Sequence, residues 1–162
     1  MTDDNDRSES ATCAKVTAAW LGLGTWLDLT SLALSALALA VLFVQDVTAT
    51  GQIGLVLGFL FGVVEKFYAL RAAFDRKLFQ AWAGSWTTEM AAPATDMAQL
   101  DAALAALGLR STDSAPPRNL PARMHGARRL LKIQAAALAM QCTTLMITAL
   151  LMSKHDLIMC TL

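Results

Sequence analysis

Charged residues leave three long stretches of this chain almost untouched. From Trp20 to Val44 the only charge is Asp28. A second apolar run opens at Ile53, is unbroken to Val64, and then turns charged and aromatic as far as Trp86. The third, Ile133–Met152, has twenty residues and no charge. A helix needs roughly 20 apolar residues to cross about 30 Å of hydrocarbon. A soluble helix as long as Trp20–Val44 would need a polar face, and this stretch has none. The pattern predicts an all-α integral membrane protein with three transmembrane helices.

The boundaries follow from the polar stretches between these runs. Residues 1–18 are acidic and polar, with little to bury, and are expected to be a disordered cytoplasmic N-terminus. No basic segment precedes the first apolar run as it would in a secretory signal, so that run is expected to stay as helix 1, over 19–45. Gln45–Gln52 is short enough to make helices 1 and 2 a hairpin. Helix 2, over 52–86, has no internal Pro. At 1.5 Å per residue it is about 50 Å long, so its last third is predicted to extend into the cytoplasm. Pro93 closes that region. Asp96, with Gln99 three residues later, predicts the start of a short amphipathic helix. Met97, Leu100, Leu104 and Leu107 form its narrow apolar side, and Asp96, Gln99 and Asp101 its polar side. Gly108 ends it. Arg110–Pro121 is a loop by composition, and the whole of 87–132 is predicted to be a cytoplasmic helical segment with a basic loop. Helix 3 covers 133–152, and 153–162 is an external tail.

Orientation comes from the basic residues. Arg71, Arg76, Lys77, Arg118, Arg123, Arg128, Arg129 and Lys132 flank the middle segment, against Lys154 alone on the other side. Basic residues favour the cytoplasmic face. The expected topology is multi-pass in the cell inner membrane, with the N-terminus cytoplasmic and the C-terminus external. Composition agrees: 56% of residues are hydrophobic and 16% charged, against about 25% charged in soluble domains. The net charge of +0 gives no reason to expect a nucleic-acid partner. Cys13, Cys142 and Cys160 have neither metal-binding nor disulfide-framework spacing, and Cys142 reads as a small buried residue.

Three groups of residues are candidates for function. Gly54, Gly58 and Gly62 recur every four residues, and their face continues through Glu65, Ala69, Ala72 and Arg76. Such a smooth face lets another helix pack closely, either within the chain or in a second copy. The second group is an intramembrane charge cluster of Asp28, Glu65, Lys66, Arg71 and Asp75. Asp28 is placed at the depth of Tyr68, with Arg71 favoured over Lys66 as its partner. Arg71 and Asp75 lie on the aromatic side of the helix with Phe67, Phe74, Leu78 and Trp82. Gln134, Gln141, Thr144 and Thr148 form a polar stripe on helix 3, suited to hydrogen bonding between helices. Arg123, Arg128, Arg129 and Lys132 form the third group, expected to contact anionic lipid headgroups. No nucleophile–base arrangement, phosphate loop or metal-ligand spacing is present, so no enzyme activity, metal or cofactor is expected. The expected function is a non-enzymatic assembly or accessory subunit of a membrane complex. Its partners would be lipids and either another membrane protein or itself. A small oligomeric channel is the alternative, and an immunity-type membrane protein a further one.

Overall fold

The computed structural model describes residues 2–88, 92–108 and 119–159. It is 93% helical, with no strand among the described residues. The order is α1 (Thr2–Gly22), α2 (Gly24–Val44), α3 (Ala49–Thr88), α4 (Pro93–Ala106) and α5 (Leu120–Met159). Three helical stretches are long and apolar enough to cross a membrane: Asn5–Val44, Ala49–Thr88 and Leu120–Lys154.

The helices divide into two compact units. One comprises α1, α3 from Ala72, α4, and α5 as far as Arg129; the other comprises α2, α3 as far as Arg71, and α5 from Leu130. In both units burial recurs every seven residues. On α5 Leu120, Ala127, Gln134, Gln141 and Thr148 are buried, and on α3 Gly51, Gly58, Glu65, Ala72, Phe79 and Trp86. Gly24, Ser31 and Ala38 do the same on α2. A 3.5-residue repeat keeps one seam of a helix facing its neighbours along its length.

Several segments differ from the sequence expectation. Of residues 1–18, expected to be disordered, 2–18 lie in α1, and residue 1 lies outside the described residues. Ala11, Ala14, Ala18 and Leu21 are all at most 4% exposed there, and they join Ala72, Phe79, Trp82 and Ala83 in one core. An alanine stripe this narrow hardly registers in hydropathy, yet it lets a mostly polar helix pack closely. Helix 1 is not a single element over 19–45, because α1 and α2 part at Leu23, which itself has helical dihedrals (φ −62, ψ −30). Pro93 opens α4 rather than closing the region before it. It occupies the first turn, where its missing N–H costs nothing, and Ala92 is the cap instead of Asp96. Gly108, at φ 68, ends that helix in the left-handed conformation glycine tolerates. Of the loop expected over Arg110–Pro121, residues 110–118 lie outside the described residues. Asn119 caps α5, its Oδ1 accepting from the Ala122 N–H at 3.1 Å. The basic stretch from Arg123 is therefore helical.

Candidate functional site

The core of the α2 unit inverts the distribution of a soluble protein. Inside it lie Ser31, Ser35, Glu65, Gln134, Gln141 and Thr148, all buried. Outside it are large apolar side chains: Trp26 is 70% exposed, Phe43 81%, Leu70 73%. Contiguous apolar surface on this scale marks a membrane or protein contact.

Two glutamines, one heptad apart on α5, hold this core. Gln141 reads α2: Ser31 Oγ donates to its Oε1 at 2.8 Å, and its Nε2 donates to Ser35 Oγ at 3.0 Å and to the Ser31 carbonyl at 3.2 Å. Gln134 reads both other helices. Its Nε2 donates to the Gly24 carbonyl of α2 at 2.8 Å and to Glu65 Oε1 of α3 at 2.7 Å. The Thr148 hydroxyl turns back to the Thr144 carbonyl at 2.8 Å. The polar stripe of α5 thus includes Gln134, Gln141 and Thr148 as buried members, with Thr144 only half-buried.

The glycine face of α3 meets side chains of the same chain. A β-carbon on Gly54 would run into Thr148, one on Gly58 into Leu145, and one on Gly62 into Ser35 and Gln141. Ala69 is buried on the same face. Only glycine lets the α3 backbone come this close to α5.

The expected charge cluster divides. Asp28 pairs with Lys66, not with Arg71, and both partners stay more than a third exposed. Arg71 projects about 140° round α3 from Lys66, and it is exposed. Glu65 takes no part in that pair: it is fully buried and bonded to Gln134. Asp75 belongs to the other unit. Cys142 is exposed instead of buried.

In the α1/α4 unit, Arg123 is structural and not free for headgroups. Its guanidinium pairs with Asp101 and lies 5.7 Å from the Trp82 ring centre, and it is only 11% exposed. Trp82 stacks on Trp86 at 5.5 Å, and the Trp86 indole N–H donates to Asp96 at 2.7 Å. The polar side of α4 is therefore anchored to α3 and α5. Arg128, Arg129 and Lys132 are exposed.

No family model, curated protein or solved structure matches this chain. Ser31 and Ser35 are the site residues that reasoning from the sequence missed. The available signal was a seven-residue series of small residues, Gly24, Ser31 and Ala38, with Ser35 one turn after Ser31, opposite the matching series Gln134, Gln141 and Thr148. Among the described residues no group of three His, Cys, Asp or Glu side chains is placed to hold a metal ion. An open apolar groove of about 630 Å³ lies on the α2 unit, lined by Leu34, Leu37, Val41, Leu55, Leu145 and Met152.

Proposed function

We propose that this chain is a non-enzymatic, multi-pass protein of the cell inner membrane, serving as an accessory or assembly subunit of a membrane complex. In this reading α2 and α3 form a hairpin and α5 packs on it. The N-terminus and the segment between α3 and α5 are cytoplasmic, and the C-terminus is external. The observation that carries it is the inverted α2 unit, with glutamine, serine and glycine inside and leucine, phenylalanine and tryptophan outside. In lipid no hydrophobic gain draws helices together, so small residues and interhelical hydrogen bonds must do it.

A pore of identical chains meeting at the glycine face would need that face free. Gly54, Gly58 and Gly62 are instead occupied by Thr148, Leu145, Ser35 and Gln141 of the same chain. This favours a monomer that is finished as a bundle and offers its outer surface to a partner. Extraction in a mild detergent followed by native mass measurement tests the reading. The expected particle contains this chain and a larger membrane polypeptide in fixed ratio. A particle of one chain alone overturns it. So does conductance in liposomes holding only this chain, if Asp28→Asn or Glu65→Gln abolishes it.

A further inference from the structure

The apolar groove of the α2 unit begins where the polar core stops. Ser31, Ser35 and Gln141 tie α2 directly to α5. Among the described residues no hydrogen bond joins these two helices nearer the α2–α3 turn. The Thr148 hydroxyl, at the groove wall, turns back to its own helix. From that level the lining runs from Leu34 to Gln45 on α2 and from Leu145 to Ser153 on α5, with Leu55 contributed by α3.

The dimensions of the groove select its occupant. The α2 wall rises about 16 Å from Leu34 to Gln45, and hydrocarbon about 30 Å thick has leaflets of about 15 Å. Over that length a volume of about 630 Å³ leaves a mean cross-section of about 40 Å². A second helix, about 10–12 Å across with its side chains, needs roughly twice that area. A hydrocarbon chain is about 4–4.5 Å wide at carbon contact distances and fits singly. No charged residue lines the groove, and apart from Thr148 its polar side chains are Gln45 and Ser153, both at the end nearest the turn. The next residue of each wall is charged. Asp46 and Lys154 are both exposed, and neither has an ion-pair partner among the described residues. One carboxylate and one ammonium at the mouth complement a headgroup that carries both an amine and a phosphate.

We infer that this groove holds one acyl chain of a zwitterionic glycerophospholipid, its amine facing Asp46 and its phosphate facing Lys154. The inference rests on the membrane reading above and not on the partner subunit. In lipid the chain gains nothing by hydrophobicity, so contact with the groove walls and the headgroup pairs must retain it. A lipid held there closes the part of the α2–α5 seam that has no hydrogen bonds.

The test reconstitutes the full chain in vesicles of equal parts phosphatidylethanolamine and phosphatidylglycerol, extracts it in a maltoside detergent, and measures the intact particle by native mass spectrometry. The expected particle keeps one phosphatidylethanolamine per chain. Ala149→Phe, whose ring would occupy the groove, should lose it. Ala139→Phe, of equal bulk at an exposed position outside the groove, should keep it. Asp46→Asn combined with Lys154→Gln should retain the two lipids equally, because the chain still fits while the headgroup pairs are gone. Should Ala149→Phe fail to fold, wild type and this surface pair still decide. Three results overturn the inference and leave the membrane reading standing: wild type that retains detergent alone or a polypeptide without lipid, wild type that retains phosphatidylglycerol instead, or retention undiminished by Ala149→Phe. A chain that stays in solution without detergent overturns both.

Discussion

Replacing Gln141 with methionine takes the middle out of the polar core with little change of volume. Gln141 makes three hydrogen bonds to α2, at 2.8, 3.0 and 3.2 Å. Side-chain hydrogen bonds between membrane helices average about 0.6 kcal/mol each in double-mutant cycles, with a maximum near 1.7 kcal/mol. Three of average strength put the cost of Gln141→Met at about 2 kcal/mol. The serines left behind keep the figure from rising further. Each can turn its hydroxyl to the carbonyl four residues back, as Thr30, Thr143 and Thr148 already do.

The assay is reversible unfolding in bicelles, by detergent titration or steric trapping. It compares wild type, Gln141→Met, Ser31→Ala with Ser35→Ala, and the combination. Because the three residues share one network, the combined loss should fall short of the separate losses by about 1 kcal/mol or more. Losses that simply add, to within about 0.5 kcal/mol, would mean the bonds contribute nothing. The inverted core would then be a by-product of close packing and not its cause.

Other perturbations separate packing, charge and anchoring. Gly58→Leu should destabilise the fold by at least about 2 kcal/mol, because its side chain meets Leu145. Gly84→Ala has nothing within 4 Å and should stabilise α3 by up to about 1 kcal/mol through helix propensity; both show in the same unfolding assay. Lys66→Met should cost no more than about 1 kcal/mol, since both partners of the Asp28 pair are more than a third exposed, and a loss above about 2 kcal/mol would mean lipid desolvates it. Trp86→Phe removes the indole donor to Asp96, so hydrogen exchange over residues 93–106 should rise by the equivalent of about 1–2 kcal/mol.

What lipid dictates is readable one helix at a time, and what neighbouring helices dictate is not. The three apolar stretches follow from composition, since a membrane sets a minimum length and excludes charge over it. The smooth face of Gly54, Gly58 and Gly62 is likewise a property of α3 alone. Which residues fill that face depends on register between helices, and no single-helix periodicity contains it. Asp28 shows the consequence. Depth counting brought both Lys66 and Arg71 within range, and only the direction each takes from α3 decides for Lys66. The same limit hid α1, because Ala11, Ala14 and Ala18 carry meaning only beside Ala72, Phe79 and Ala83. Arg123 looked like one of four interchangeable basic residues until Asp101 and Trp82 were placed around it. The register nevertheless left a trace in the sequence. Small or polar residues recur every seven positions on α2, α3 and α5, and three such series in one chain of this length call for a common seam. Where two series present Gln and Glu at the same level, as at Gln134 and Glu65, the seam is joined by a hydrogen bond between helices as well as by contact.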